Sequence, residues 1–238
     1  LLPVGTEYDG VYMGEAPQLS STYGQYDNGA NVFNNYWNFA GTSLPSGLTG
    51  TEYGYKVDNE LTVLGPGSVD FGDYVTTTSP VSSTSNILEI FMPSFNFGTP
   101  TGGSYGVWEA VGYTSAPKNF NNSIYMYNSE SSLTYLQTSV NGSTTTGNQI
   151  RSGPSNFILS MYSTPSYAYL GIGTNPPLYN NSHSATLTSN VFYSNSAYIT
   201  LESFDSNTNI YAYYIRIRAP PPNYIMPSVS ISMYTTTS

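Results

Sequence analysis

The stretch Tyr211-Ala212-Tyr213-Tyr214-Ile215-Arg216-Ile217-Arg218 decides the fold class that we predict for this chain. Its last residues alternate between apolar and cationic side chains, which is the period-two pattern of a β-strand. A second stretch, Val229-Ser230-Ile231-Ser232-Met233-Tyr234, alternates more strictly and places its serines on one face. We therefore predict two strands close to the C-terminus, and for the first of them a sheet face in contact with water.

Similar short strands are predicted along most of the chain, because Gly and Pro interrupt runs of β-branched and aromatic residues. No stretch has convincing helical periodicity. Evenly spaced short strands are typical of an all-β sandwich or barrel. The predicted strands cover residues 61–64, 73–78, 86–92, 105–113, 123–127, 133–140, 156–162, 168–172, 185–187, 197–204, 210–218 and 227–234.

Charge is scarce in this chain. Only 8% of the 238 residues are charged, with 5 Lys+Arg against 14 Asp+Glu and a net charge of −9. No basic cluster is available to displace the counterions of nucleic acid, so we exclude that partner. The few carboxylates leave little for acid to protonate, and we expect folding to be nearly independent of pH between about 2 and 7. This composition suggests a secreted protein from an acidic habitat.

The first residues differ from the rest of the chain. Leu1-Leu2-Pro3-Val4 is apolar, and three glycines divide the segment that follows into extended pieces. We predict an extended N-terminal arm over residues 1–14 and a single β-sandwich domain over residues 15–238. An arm of this kind can add a strand to a neighbouring molecule. The candidate donor side chains are Leu1, Leu2, Val4, Tyr8, Val11 and Met13.

Two stretches resemble a known family. The first runs from Gly14-Glu15-Ala16-Pro17-Gln18-Leu19-Ser20 to Trp37-Asn38-Phe39-Ala40-Gly41-Thr42-Ser43-Leu44-Pro45, and the second from Tyr214-Ile215-Arg216-Ile217-Arg218-Ala219 to Met226-Pro227-Ser228-Val229. Both are similar to the opening and closing segments of concanavalin A-like sandwich domains of secreted archaeal proteins. The resemblance implies an antiparallel β-sandwich of the jelly-roll type. That superfamily includes lectins, glucanases and adhesion modules, so the fold alone does not give the function.

A looser resemblance is to the subunits of thread filaments on archaeal cell surfaces. It rests on the low-charge composition, the apolar arm and the scattered glycosylation motifs rather than on a quotable sequence. It implies an extracellular or cell-surface pilus-like polymer, in which each subunit donates a strand to the next, head to tail. The alternative is a carbohydrate-binding or adhesive, lectin-like module that contacts other cells or surfaces.

Carboxylates in pairs are what glycoside hydrolysis requires, at about 5–10 Å from each other. Here Glu60, Glu89, Glu109 and Glu202 are each alone on a predicted strand. Concanavalin A-like glucanases carry several acids on one strand, whereas residues 86–92 contain only Glu89. We therefore predict no catalytic residues and no enzymatic activity.

Other polar and aromatic residues receive structural interpretations. His183 lies in a polar loop, and we expect it to be solvated. Asp70 and Asp73 are interpreted as turn residues rather than calcium ligands, while Trp37 and Trp108 have the apolar context of a core. The chain has no Cys, which excludes disulfides and thiolate metal sites. We predict no metal and no cofactor, and no apolar run reaches the length of a membrane span.

Glycosylation gives a first testable prediction. Asn121, Asn141 and Asn180 each begin an N-x-Ser motif in a predicted loop. We expect N-linked glycans on all three in the native protein, where they would supply the solubility that charge does not. Intact-mass measurement of native material checks this, and a mass equal to the bare 25.8 kDa polypeptide would contradict it.

Overall fold

The computed structural model describes residues 33–65, 72–93, 109–129, 133–150, 157–173, 184–204 and 208–219. These residues form strands joined by turns and bends, without a helix. In sequence order the strands are β1 (Asn35–Asn38), β2 (Leu48–Gly50), β3 (Tyr55–Val57), β4 (Leu61–Val63), β5 (Asp73–Thr77), β6 (Val81–Ser82), β7 (Ile87–Met92), β8 (Glu109–Ala116), β9 (Asn119–Ser129), β10 (Leu133–Val140), β11 (Ser143–Ile150), β12 (Phe157–Ser163), β13 (Ala168–Gly173), β14 (Ser184–Leu187), β15 (Ser196–Ser203), β16 (Ile210–Ala212) and β17 (Tyr214–Arg218).

Two antiparallel sheets pack face to face. The six-stranded sheet has the order β1-β17-β7-β12-β13-β14, and the eight-stranded sheet has the order β11-β10-β9-β8-β15-β5-β2, with β6 paired to β15. A small third sheet joins β16, β4 and β3. Strands that are distant in sequence, such as β7 and β17, are neighbours in space. The protein is therefore an all-β antiparallel sandwich of the jelly-roll type, as the sequence predicted.

Alternating side chains from the two sheets form the core between them. Leu88, Ile90 and Met92 of β7 enter it from the six-stranded sheet, and Ile199 and Leu201 of β15 enter it from the other. Trp37 belongs to the same core and is 8% exposed, which confirms its predicted role. Every residue of β7 and β12 is buried, so the centre of the six-stranded sheet is buried on both of its faces.

Most of the predicted strands that fall within the described ranges are present, with shifted ends. The strand predicted over residues 133–140 matches β10 without a shift. Sequence analysis missed β1, β2, β3, β6 and β11. Strand β11 reads Ser-Thr-Thr-Thr-Gly-Asn-Gln-Ile, which has no apolar alternation, and its place comes from backbone pairing with β10. Asp73 begins β5, in agreement with the strand predicted over residues 73–78, and is not only the turn residue of our other interpretation. The stretch over residues 227–234 lies outside the described residues.

The stretch from Tyr211 to Arg218 is not one strand. It changes sheets at Tyr213, because β16 pairs with β4 whereas β17 pairs with β7 and β1. Ala212 and Ile215 both face the core, although they are three positions apart and a regular strand would place them on opposite faces. Tyr213 is therefore an extra residue that reverses the alternation. Its N–H donates to the carbonyl of Phe91 at 2.8 Å. The predicted wet face of this strand is wrong: Arg216 is 1% exposed, because a buried carboxylate pairs with it.

The outer face of the eight-stranded sheet carries buried polar groups. Thr76 and Thr114 lie on either side of Thr200, with hydroxyl oxygens 3.1 and 3.0 Å from that of Thr200. Glu202 continues the same face and is 1% exposed. Its Oε1 lies 3.8 Å from Nζ of Lys118. A Cβ atom on Gly72 would lie 2.5 Å from that oxygen, so the glycine leaves the space that the carboxyl group occupies.

Burial raises the pKa of Glu202 to about 8, and the positive charge of Lys118 opposes the shift only in part. The folded protein therefore binds more protons than the unfolded chain between about pH 4.5 and 8. The stability that Glu202 contributes is fully present below its pKa in the unfolded chain. It is lost as the pH rises through its pKa in the folded protein. The contribution of Glu202 to stability therefore rises toward acid, unlike the flat profile expected from composition.

A second prediction follows for Glu202. We expect the free energy of unfolding to increase by on the order of 3 kcal/mol between pH 8 and pH 5. Glu202→Gln should remove this dependence, while Glu52→Gln, at an exposed position, should keep it. Denaturant unfolding at several pH values measures the change. A profile that stays equally steep in Glu202→Gln would show that another group is responsible.

Among the residues described, no helix has the length and apolar character needed to cross a membrane.

Candidate functional site

The face of the six-stranded sheet that points away from the core carries a continuous row of polar residues, here called the central row. One residue from each strand contributes to it, and each is the register partner of the next. In spatial order the central row consists of Tyr36, Arg216, Glu89, Ser160, Gly171 and Ser184. Because neighbouring strands lie about 4.8 Å apart, the row crosses the whole sheet in one line.

Glu89 is the centre of this row and accepts hydrogen bonds from two arginines of β17. Its Oε2 accepts from Nε of Arg216 at 2.5 Å, and its Oε1 accepts from Nε of Arg218 at 2.8 Å. Nη2 of Arg218 lies 2.7 Å from the same Oε1. The Glu89 side chain is fully buried, and the side chains of Arg216 and Arg218 are 2% and 14% exposed. The three residues form a buried ion triad that joins β7 to β17.

Aromatic rings also contact the Arg216 guanidinium group. Its Cζ lies 4.7 Å from the centre of the Phe33 ring and 5.1 Å from that of the Tyr214 ring. Rings in such positions attract a cation through their quadrupole, and the attraction grows when water is excluded. The two rings therefore offset part of the desolvation cost of Arg216.

Aromatic clusters flank the central row on both sides. On one side Phe91 and Tyr214 pack together at 5.4 Å between ring centres, with Tyr36 and Tyr213 at the edge. On the other side Tyr162 and Tyr169 lie 5.1 Å apart, with Tyr167 packed against them. A Cβ atom at Gly171 would lie 2.6 Å from the Tyr169 hydroxyl oxygen, so the absent side chain leaves space for that ring.

The two ends of the row are more open than its centre. Its end residues are Tyr36, which is half-buried, and Ser184, which is exposed. Beside the row, Tyr213 and Tyr167 of the aromatic clusters are half-buried and Asn38 is exposed. The middle is buried, with Ser160 at 2% exposure and Glu89 at 0%. A polar stripe between aromatic walls, with accessible ends, is the arrangement that protein sites use to hold and orient a small polar ligand.

Among the described residues, Glu89 supplies the one carboxylate on this face that could take part in acid–base chemistry. The neighbouring positions of β7 on the same face hold Ile87 and Phe91. Glu202, the other buried glutamate, belongs to the eight-stranded sheet. The described part of the chain contains no group of three or more residues able to hold a metal ion.

The predicted glycosylation sites differ in whether they lie in the loops where we expected them. Asn141 is exposed in the β10–β11 turn, as predicted. Asn121 is also exposed but lies within β9 rather than in a loop, because β9 continues to pair with β8 as far as Asn119. The two sites are adjacent, since the Gly142 N–H donates to the Asn121 carbonyl at 2.8 Å. Occupancy by glycans stays a prediction.

The remaining candidates lie outside the described residues. They are Asn180, His183, Asp70 and Trp108, together with the donor candidates Leu1, Leu2, Val4, Tyr8, Val11 and Met13.

Sequence analysis missed the ion triad, although the sequence contains a signal for it. Glu89 is a single acid in a strand that is otherwise apolar, and buried glutamates are found almost only with a partner. Arg216 and Arg218 are two of only five cationic residues in the chain and share one face of their strand. Matching the lone acid to this pair would have predicted that β7 and β17 are neighbours.

Comparison with known proteins identifies the fold of this chain but not a family. No protein-family model matches the chain, and no curated protein matches its sequence. Several solved structures do share the sandwich. An immunostimulatory antigen and pseudo beta-1,3-glucanase of Mycobacterium tuberculosis aligns with a TM-score of 0.57 and 12% identity, over 79% of this chain and 99% of that one.

Two further structures give the same result. A beta-1,3-1,4-glucanase (lichenase) from a mouse hindgut metagenome has a TM-score of 0.52 and 9% identity, over 78% of this chain and 98% of that one. A glycosyl hydrolase family protein of Mycobacterium fortuitum has a TM-score of 0.52 and 12% identity, over 78% and 99%. The protein is thus similar in fold to glucanase-type β-sandwiches, and nothing in the comparisons indicates thread filaments.

The prediction that the chain is not an enzyme is corrected by these comparisons, because solved structures of the same fold are described as glycosyl hydrolases and glucanases. One of them is described as a pseudo-glucanase. The error has a physical origin. We looked for two carboxylates on one strand, whereas a glycosidase needs two of them in one place, which neighbouring strands can also supply.

A third prediction concerns the ion triad. Glu89→Gln leaves two arginines without their counter-charge inside the protein, and we expect it to lower the free energy of unfolding by about 3–5 kcal/mol. Arg218→Gln should cost less, because Arg216 still pairs with Glu89 and the Arg218 side chain is 14% exposed. Denaturant unfolding measures both, with Glu52→Gln as a surface control. A loss below about 1 kcal/mol in Glu89→Gln would contradict a structural role for the triad.

Proposed function

We propose that this protein binds carbohydrate on the face of the six-stranded sheet that holds the central row. The observation that carries the proposal is the polar stripe itself, which lies between two aromatic clusters and ends in exposed or half-buried side chains. Sugar rings present apolar C–H faces together with hydroxyl groups. Aromatic rings pack against the C–H faces, and hydroxyl, amide and charged side chains hydrogen-bond to the sugar hydroxyl groups.

Contacts with the ligand begin at the two ends of the row. Tyr36 and Asn38 of β1 lie at one end, and Ser184 of β14 lies at the other, while Tyr213 and Tyr167 belong to the aromatic clusters beside the row. At the first end the amide of Asn38 lies 3.4 Å from the Tyr36 hydroxyl, so hydrogen-bonding groups are already held beside the ring. A glycan therefore contacts the accessible ends of the row first, because the side chains between them are buried.

The names of the structures with the same fold support a β-glucan as the class of sugar. They also make cleavage of the bound glycan a reaction to measure together with binding. The ligand class suits a secreted protein, and we place this chain outside the cell with N-linked glycans of its own.

The filament interpretation has less support than the carbohydrate-binding alternative. Its donor candidates from Leu1 to Met13 lie outside the described residues, and strand donation stays a prediction. Electron microscopy of native material tests it: a regular polymer that is lost when residues 1–13 are deleted would restore the filament as the principal function.

A fourth prediction tests the proposed site. Tyr36→Ala should weaken the binding of β-glucan oligosaccharides about tenfold, which corresponds to about 1.4 kcal/mol, because a ring at the accessible end of the row is lost. Tyr53→Ala removes a tyrosine that is 87% exposed on a different part of the surface and should leave affinity unchanged. Affinity electrophoresis or isothermal titration calorimetry measures the effect, and near-UV circular dichroism verifies that both variants are folded.

Release of reducing sugar from the same oligosaccharides separates cleavage from binding. Binding with no release describes a carbohydrate-binding protein, and binding with release describes a glycosidase. Equal loss of affinity in the two variants would place the site elsewhere, and a wild-type protein that binds no glycan would refute the proposal.

A further inference from the structure

The face that holds the central row carries more positive than negative charge. Its described side chains include two guanidinium groups, that of Arg216 in the row and that of Arg218 beside it, and one carboxylate, that of Glu89. The chain as a whole has a net charge of −9 and only 5 Lys+Arg. A buried surplus of positive charge is therefore opposite to the general character of the protein.

The surplus is shared by the two arginines, because one carboxylate balances only one guanidinium group. Arg218 contacts Oε1 of Glu89 with two nitrogens within 2.8 Å, and Arg216 contacts Oε2 through Nε alone. Arg216 is 1% exposed, where an additional charge is costly unless it is paired and hydrogen-bonded. The rings of Phe33 and Tyr214 attract its charge but accept no strong hydrogen bond.

Two polar groups of the row have no hydrogen-bond partner. Nη1 of Arg216 is buried and makes no hydrogen bond, and the same holds for Oγ of Ser160. The residues stand on either side of Glu89, one strand away in each direction, so their backbones are about 10 Å apart. Buried polar atoms without partners are uncommon in native proteins, and a ligand that supplies the partners is one explanation for them.

We propose that the central row recognises an acidic sugar residue that enters its buried middle from an accessible end, so that the carboxylate binds Nη1 of Arg216 and a hydroxyl group hydrogen-bonds to Ser160. This inference rests on the proposed carbohydrate-binding function and names its ligand class as a glycan that contains uronic acid. A planar carboxylate matches the planar fork of donors on a guanidinium group. It also supplies the negative charge that balances the second arginine.

The negative net charge of the protein does not oppose such a ligand at short range. Exposed charges separated by more than about 8–10 Å are largely screened at ordinary ionic strength, whereas pairs inside the protein are screened much less. The row therefore attracts a carboxylate locally, while the rest of the surface contributes little.

Oligoglucuronates provide the matched test, because reduction of their carboxyl groups gives oligoglucosides with the same linkage and length. Isothermal titration calorimetry of the complete protein with both ligands measures the preference directly. We expect the acidic form to bind at least about tenfold more tightly, as a charge-assisted hydrogen bond to a buried group predicts. The preference should shrink only slightly when salt is raised from 0.05 to about 0.5 M.

Two variants test whether the preference for the acidic ligand arises from the central row. Arg218→Gln removes the surplus charge while Glu89 keeps its bond to Arg216, and it should reduce the preference for the acidic ligand to within about threefold. Lys56→Gln removes the same charge from an exposed position on β3 and should leave the preference intact. Unfolding curves show whether each variant is folded at the temperature of the titration.

The outcomes separate this inference from the proposed function. Tighter binding of the oligoglucuronate, lost in Arg218→Gln alone, supports the inference. Equal or tighter binding of the oligoglucoside refutes it and leaves the carbohydrate-binding function in place. A protein that binds β-glucans but neither member of the pair also refutes it, and a protein that binds no glycan refutes both. An equal effect of Lys56→Gln would show that only overall charge matters.

Discussion

The ion triad of Glu89, Arg216 and Arg218 is the interaction on which the described structure most depends. It links β7 and β17, which are 127 residues apart in sequence at the Arg216–Glu89 hydrogen bond. Both strands are internal to the six-stranded sheet, and every position of β7 is buried. Charges in such a place are favourable only when each one finds its partner, so the register of the two strands is fixed by the need to bring the acid to the arginines.

The change of sheet at Tyr213 makes this pairing possible. In a regular strand Ala212 and Tyr214 would face the same side, but here Ala212 enters the main core while Tyr214 joins the aromatic cluster on the opposite face. One additional residue therefore moves Arg216 and Arg218 onto the face that holds Glu89. The same residue brings Tyr213 to the edge of the candidate site, so a local backbone irregularity positions both the charges and one of the rings.

Burial has opposite consequences on the two sheets. On the six-stranded sheet Glu89 is compensated by two cations at hydrogen-bond distance. On the eight-stranded sheet Glu202 has one lysine at 3.8 Å, and desolvation raises its pKa to about 8. A chain with few charges thus uses its buried glutamates in two ways, as a charged anchor between strands and as a group that is protonated in neutral and acidic solution. The second use contributes stability that increases toward acid.

The sequence by itself determined the β-sandwich, because alternation of side chains, turn residues and the absence of helical periodicity are local properties. It also determined most of the longer strands and the core position of Trp37. It did not predict β11, whose polar residues are held by pairing with β10, nor the break at Tyr213, which depends on two different partner strands. The burial of Arg216 and Arg218 was predicted wrongly, since alternation shows that two residues share a face but not what covers that face. Only the tertiary structure brought Glu89, Ser160 and the two arginines into one row, because strand order and register arise from contacts between residues far apart in the chain.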